Sequence, residues 1–265
     1  MVSPTQVPAQ VAAPTRVSAM SAEDRVVADH ARFAAWAQFA RDHGETPAIP
    51  AATVVILRDS DNGPETLMLR KNSKIAFGGM WVFPGGRVDD EDWRGANDDV
   101  AAARQAASRE AAEEAQLSVD PASMVLFAHW IPPAIAPKRY ATWFFAARAG
   151  VENAVIDDGE IIDMNWLTPN DCMARHHRGE VELAPPTWVT LHTIANEQSV
   201  ADVLEMLAQR TPRHHATKIV RSDLGPVALW EGDAGYPDGD AGIDGTRHRL
   251  SMFDSGYVYD DSGVV

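Results

Sequence analysis

The sequence predicts an α+β fold: a mixed β-sheet sandwiched between α-helices, with a helical addition at the N-terminus and helix and hairpin additions at the C-terminus. Three stretches carry that expectation. Ala51-Ala52-Thr53-Val54-Val55-Ile56-Leu57 is a short apolar run, residues 59–64 hold turn formers, and residues 65–70 return as a second strand, so the three make a hairpin. Phe83-Pro84-Gly85-Gly86 is a tight turn between an apolar run and a long Ala- and Glu-rich segment, so that a strand, a loop and a helix follow one another. Beyond that helix, residues 138–147 form a strongly apolar strand entered by two cations, Lys138 and Arg139.

Taken in order, residues 1–20 are rich in Pro, Ala, Val, Ser and Thr and lack the apolar centre of a secretory signal, which predicts a disordered leader and makes Met20 an alternative start. Ser21 stands as cap of a helix with acids in its first turn, running to about Asp42 and ended by Gly44; Trp36 is a packing residue within it. A loop over 71–80 leads into Trp81-Val82-Phe83. Residues 124–130 form a strand, 131–137 a Pro-rich turn, 157–160 an acidic turn and 161–167 a further strand. Thr168 opens a short helix over 172–178, Thr187 caps one through Ile194, and Ser199 caps one through Ala208. Strand-like pieces follow at 219–220, 227–230 and 249–253. The Asp- and Gly-rich run 233–245 has neither the ligand order nor the closing Glu of a calcium loop and reads as a flexible connection between antiparallel strands. The doublets His176-His177 and His214-His215 read as surface residues. The expected organisation is a leader (1–20), a helical extension (21–48), a central domain (49–197) and a C-terminal extension packed on the same domain (198–265).

Chemistry concentrates in Arg109-Glu110-Ala111-Ala112-Glu113-Glu114. On a helix Glu110, Glu113 and Glu114 stand at i, i+3 and i+4, so three carboxylates crowd one arc. Like charges at that spacing cost a helix about 0.2–0.5 kcal/mol per pair, and acids near a helix C-terminus oppose the macrodipole. Two readings are open. One is the solvated acidic face of a good helix; the other is a site for a hard divalent cation, which takes oxygen ligands and leaves positions for water and a phosphate.

Here the chain resembles the Nudix hydrolases, whose signature is a Gly, a Glu, and then Arg-Glu-apolar-x-Glu-Glu-x-Gly-apolar. Arg109, Glu110, Ala111, Glu113, Glu114 and Leu117 stand where its second half requires. The first Glu usually lies close before the Arg, whereas Glu91 and Asp92 lie further upstream, so the loop carries an insertion at about 92–98. The late Gly is Gln116, which argues against a left-handed helix end there. The resemblance implies a diphosphatase using Mg2+ or Mn2+, with Glu110, Glu113 and Glu114 as ligands and catalytic groups, Arg109 positioning them, and the Gly86 carbonyl and Glu160 as further ligands. Arg70, Arg87 and Arg139 are candidate contacts to substrate phosphates, and Lys71 shares that reading with Arg70. Structural alternatives stand beside these readings: a solvated turn for Glu160, a solvated strand end for Arg70 and Lys71, and an ion pair for Arg139.

Segments 127–133, Arg139-Tyr140 and 183–187 resemble one Nudix branch that includes coenzyme A diphosphatases of the peroxisomal type and also has an enlarged signature loop. The motif that marks coenzyme A hydrolysis, Leu-Leu-Thr-x-Arg-Ser, is met only by Leu67-Met68-Leu69-Arg70-Lys71-Asn72-Ser73. Three functions therefore stay open: a coenzyme A or acyl-CoA diphosphatase, a diphosphatase of ADP-ribose or a nucleotide sugar, and a regulatory nucleotide-binding module without turnover.

With 23 Lys and Arg against 38 Asp and Glu, the formal charge of −15 argues against nucleic-acid or acidic-membrane binding. A nucleoside-diphosphate-linked small molecule is the expected partner, since a bound cation inverts the local field. No apolar run spans a membrane. Cys172 is the only cysteine, which excludes an intrachain disulfide and fits a cytoplasmic setting; homodimerisation is left open. Because the leader holds no periodic apolar segment, deleting residues 1–19 is expected to leave activity and melting temperature nearly unchanged. A large loss of either in the truncated protein would show that the leader packs on the domain.

Overall fold

The computed structural model describes residues 22–72, 78–156 and 159–264. The expected leader, its neighbouring cap Ser21 and the acidic pair Asp157-Asp158 lie outside these residues. Among the described residues the elements form an eight-stranded mixed sheet, a four-stranded antiparallel sheet and five α-helices.

Strand β1 (Ala48–Ser60) is the axis of the larger sheet. Its apolar run is buried on both faces: Ala52, Val54 and Ile56 belong to one core, Val55 and Leu57 to the other. On one edge β1 pairs in parallel with β6 (Arg139–Arg148), from Ala48 opposite Arg139 to Leu57 opposite Arg148. On the other edge two antiparallel partners share it: β4 (Gly85–Arg87) at residues 51–53 and β2 (Gly63–Lys71) at residues 57–60. The sheet runs β3 (Trp81–Val82), β2, β1, β6, β5 (Val125–Ile131), β8 (Arg213–Ala216), with β7 (Ile161–Leu167) also on β2.

Helix α2 (Asp99–Ala115) covers one face. Asp98 caps it, its carboxylate accepting from the Ala101 N–H at 2.7 Å. The buried side is an alanine stripe, Ala103, Ala106, Ala107, Ala111 and Ala115, against Val54, Ile56, Leu67, Leu69 and Phe145. A methyl group gains only about 0.8 kcal/mol on burial, so the stripe matters less for area than for how closely it lets the helix approach the sheet. A bulkier residue at Ala106 or Ala107 would lift the helix and displace the carboxylates at its end.

On the opposite face α3 (Pro169–His177), α4 (Pro185–Ile194), α5 (Val200–Ala208) and the smaller sheet share one core with the larger sheet, and α1 (Ala22–His43) packs on the smaller sheet. That sheet runs β12 (Gly256–Asp260), β11 (Arg249–Phe253), β10 (Gly225–Leu229), β9 (Lys218–Ser222). Trp230, Leu250 and Met252 join Trp130 and Phe144 in one core, so the C-terminal segment is built onto the sheet rather than beside it. Trp36 meets Phe33 edge-on at 5.4 Å.

Several local expectations need correction. Thr187 does not cap its helix: α4 starts at Pro185 after Ala184, and Thr187 is buried inside it. The run 233–245 does connect antiparallel neighbours, β10 and β11, but it is tied down. Asp233 takes two bonds from Arg249, at 2.5 and 2.6 Å, and accepts from the N–H groups of Gly235 and His248. Each histidine doublet is split, with His176 and His215 buried. His215 stacks on Trp130 at 3.8 Å, and burial pushes its imidazole down to about 2. Strands β8 and β12 were not foreseen.

The last correction concerns the end of α2. Gln116 adopts the left-handed conformation, φ 55° and ψ 32°, the only non-Gly positive φ among the described residues. The N–H groups of Gln116 and Leu117 close the helix on Ala112 and Ala111 at 3.1 and 3.2 Å, the first being the bond of a left-handed (αL) helix end. Burial of Leu117 in the α2 core overrides the side-chain preference. Gln116→Gly is therefore expected to raise stability by about 0.5–1 kcal/mol, because the substitution removes a Cβ penalty at a fixed backbone geometry. Urea denaturation checks this; a loss of stability would mean that the Gln side chain contributes more than its backbone costs.

Candidate active site

The turn before β4 is set by a gap on the β1 edge. Between the two antiparallel partners, Val54 N–H donates to Pro84 O at 3.0 Å and the Thr53 hydroxyl donates to the same oxygen at 2.6 Å. Gly85 is required by close approach to backbone, whereas at Gly86 a side chain would displace only the Glu110 carboxylate. A Cβ at Gly85 would lie 2.6 Å from Ala52 O, and one at Gly86 would lie 2.2 Å from a Glu110 carboxylate oxygen.

Against this turn stands the acidic end of α2. Glu114 is 4% exposed; its Oε2 accepts from Gly85 N–H at 3.0 Å and its Oε1 from Lys71 Nζ at 2.5 Å. Lys71 Nζ is also 3.6 Å from Glu160 Oε2, so Glu160, just before β7, reaches the same cluster. Glu110 accepts from Arg109 Nη1 at 2.9 Å beside Gly86. Glu113 accepts from the same nitrogen at 2.9 Å, with its side chain 58% exposed at the outer edge. The three carboxylates are thus each met by a cation of the chain. Among the described residues no group of three or more His, Cys, Asp or Glu converges as a ready metal cage.

The donor set nevertheless fits a hard cation. Burial pushes Glu110 above the ordinary carboxylate range against the pull of Arg109. Burial does the same to Glu114 against the pull of Lys71 and the Gly85 N–H. Two carboxylates whose desolvation exceeds what their partners return are under-compensated oxygen donors. For Lys71, burial works against the charge, but Glu114, with Glu160 and Glu110 behind it, outweighs burial and raises the ammonium above its ordinary range.

Arg109 is the brace of the site. Its guanidinium makes a two-pronged bond to Asp92, at 3.2 and 3.0 Å, and a third to Arg87 O at 3.0 Å. The hydrogen bonds to Asp92 come first in raising it above its ordinary range, with Glu110 adding to them. Asp92 is buried and also accepts from Asp89 N–H at 2.9 Å. Sequence reasoning placed Asp92 at the start of the insertion and gave it no role. The extra residues follow it, so the loop bulges outward while its first acid still reaches the arginine. Only the spacing from Gly86 could have signalled this.

The other predicted cations are placed differently. Residues of β2 alternate between the cores, Leu67 and Leu69 toward α2 and Met68 away, which sends Lys71 to the glutamates and Arg70 to the opposite face. Arg70 Nε is buried without a hydrogen-bond partner among the described residues. Arg87 is exposed and lies 3.4 Å from Asp89. Arg139 is 8% exposed and is engaged by Glu45, Thr46 O at 2.9 Å and Pro132 O, clamping the start of β1 to the β5–β6 turn. Of the two readings open for Arg139, a phosphate clamp and an ion pair, these contacts match the ion pair, here buried rather than at the surface.

The pairings also alter what the acidic run does for stability. Read from sequence, neutralising one of three repelling charges should leave stability unchanged or raise it. With Lys71 buried against Glu114, Glu114→Gln instead strands an ammonium and is expected to destabilise by about 2–4 kcal/mol. Glu113→Gln, which loses only an exposed pair, should cost at most about 0.5 kcal/mol. Metal-free thermal unfolding of both variants checks the contrast; equal effects would show that the Lys71 pair contributes nothing.

A family model described as NUDIX domain matches residues 48–197, more than half of the chain. Among solved structures, a NUDIX hydrolase from Alicyclobacillus acidocaldarius is similar at 21% identity and TM-score 0.56, covering 63% of this chain and 99% of its own. Weaker likenesses include the NUDIX domain of Shewanella oneidensis NrtR complexed with ADP ribose, at 16% identity and TM-score 0.43, covering 56% of this chain and 86% of its own. Another is a C. elegans Ap4A hydrolase, at 20% identity and TM-score 0.40, covering 56% and 96%. No curated protein matches the chain. On the family match and the fold it accounts for, the chain belongs to the NUDIX family and is a hydrolase of pyrophosphate bonds.

Proposed function

We propose that the enzyme cleaves the diphosphate bond of coenzyme A or acyl-CoA, at a site formed by Glu110, Glu113 and Glu114. The observation that carries the site is the placing of two carboxylates against the Gly85-Gly86 turn, the buried Glu114 bonded to Gly85 N–H and Glu110 beside Gly86. The substrate assignment is supported by the sequence likeness of segments 127–133 and 183–187 to the coenzyme A branch. Those segments pack in the core through Trp130 and Leu183, so they speak for branch and not for substrate contact. A second reading, ADP-ribose or a nucleotide sugar, is favoured by the broken Leu-Leu-Thr-x-Arg-Ser motif, whose Lys71 is directed to Glu114. The intact glutamates speak against a module without turnover.

Nudix hydrolases generally use divalent ions. Here Mg2+ or Mn2+ held by the three glutamates, with the Gly86 carbonyl and Glu160 as further candidate ligands, would supply polarisation of the phosphoryl oxygens and activation of a water. The chain's residues do the rest. Gly85 N–H fixes one oxygen of Glu114, and Arg109, braced by Asp92, fixes Glu110. A carboxylate oxygen of Glu110 or Glu114 takes the proton as water oxygen bonds to phosphorus and the bridging P–O bond breaks. Two phosphate-ended products leave.

A substrate panel of coenzyme A, acyl-CoA, ADP-ribose and nucleotide sugars, assayed with Mg2+ and with Mn2+ and with products identified by mass, tests this reading. Cleavage of coenzyme A to two phosphate-ended fragments is expected, with Glu114→Gln and Glu110→Gln each lowering turnover more than about tenfold. Mg2+, Mn2+ and Ca2+ should each raise the melting temperature, by an amount equivalent to about 2.7 kcal/mol at 100 times the dissociation constant. Preference for ADP-ribose would move the assignment to the second reading. Near-normal turnover in both variants would remove the glutamates from the mechanism.

A further inference from the structure

We propose that Lys71 is a tethered counter-ion of the glutamate site, whose ammonium holds the cation position at Glu114 and Glu160 and which an incoming divalent ion displaces. The inference rests on the reading of Glu110, Glu113 and Glu114 as metal ligands.

Four observations lead to it. Lys71 Nζ sits 2.5 Å from Glu114 Oε1 and 3.6 Å from Glu160 Oε2, with its side chain 11% exposed. The other Glu114 oxygen is already engaged by Gly85 N–H, so the lysine takes the carboxylate atom that faces the cluster. The ammonium's partners among the described residues are both acids of the site. Arg109 differs, because Asp92 and Arg87 O anchor it independently of the glutamates and would keep it in place.

An ammonium and a divalent ion compete for the same oxygen. The ammonium donates hydrogen bonds from a single positive charge, whereas the metal takes the oxygen directly into its coordination shell with two. With both at Glu114 Oε1 the two cations would repel each other at close range, so occupancy by the divalent ion favours departure of the ammonium. Lysine is suited to yielding, since its four-carbon stem lets the ammonium swing out to water or to an arriving phosphate without moving the backbone. Before metal arrives, Lys71 relieves the crowding that three acids on one helix arc would otherwise suffer. Because that pairing must be broken on binding, it weakens the apparent affinity for metal, as any stable metal-free state does. The metal-free chain therefore stays ordered around the glutamates, at the expense of a weaker hold on the ion.

The test is calorimetric titration of the full chain with Mn2+ in the absence of substrate, for the wild type, Lys71→Met, Lys71→Gln and the double variant Glu110→Gln, Glu114→Gln. Both lysine variants are expected to bind Mn2+ about tenfold more tightly than the wild type, equivalent to about 1.4 kcal/mol. If Lys71→Met does not fold without metal, Lys71→Gln, which keeps an N–H donor for Glu114 but no charge, carries the comparison. Binding in either folded lysine variant that is no tighter than in the wild type overturns the displacement. The double variant separates the two levels. Wild-type affinity there removes the glutamates as ligands and the inference with them. Lost affinity there, with unchanged lysine variants, leaves the metal reading standing and removes Lys71 alone.

Discussion

The strand β1 has both faces buried and must therefore find hydrogen-bond partners along both edges, since an unpaired backbone group in a core costs as much as a lost hydrogen bond. One edge is satisfied throughout by the parallel strand β6. The other is shared by β4 and β2, and between them Val54 and Thr53 turn to the Pro84 carbonyl. The Gly85-Gly86 turn is thus placed by a strand's need for partners. Everything that touches it, from the Glu114 carboxylate to the Glu110 oxygens beside Gly86, inherits its position from that need.

Helix α2 brings the second half of the site through an unusual economy of side chains. Its buried stripe is almost all alanine, so the helix lies close enough for Glu114 to reach Gly85 N–H on the facing strand. Larger apolar residues would bury more area but hold the carboxylate further off. The site's geometry and the helix's modest packing are two results of the same small side chains.

The charges follow a similar logic. Three acids at the C-terminal end of a helix repel one another and oppose its dipole, and the fold answers with two cations of different kinds. Arg109 is anchored outside the trio by Asp92, so it serves as a fixed brace. Lys71 is anchored on Glu114 and Glu160 themselves, so its position depends on what else those oxygens bind. An arginine with a two-pronged carboxylate partner and a lysine with site acids only are not interchangeable, and the pair divides rigidity from adaptability.

By itself the sequence determined the periodic parts: the two-sided apolar run of β1, the hairpin to β2, the carboxylate-bearing helix after the glycines, and the caps at Thr168 and Ser199. Those signals are local, because periodicity, turn chemistry and capping act within a few residues. Tertiary structure alone decided the remainder. Gln116 is left-handed because Leu117 must be buried, not because its side chain prefers it. The Asp- and Gly-rich tail is ordered because Asp233 meets Arg249 from another strand. Arg139, open from sequence to a phosphate clamp or an ion pair, is taken by Glu45 and Pro132, and Lys71, apparently a strand-end cation, by Glu114 in a distant helix. Long polar side chains find their partners through space, and no spacing along the chain records which carboxylate or carbonyl folding will bring within reach.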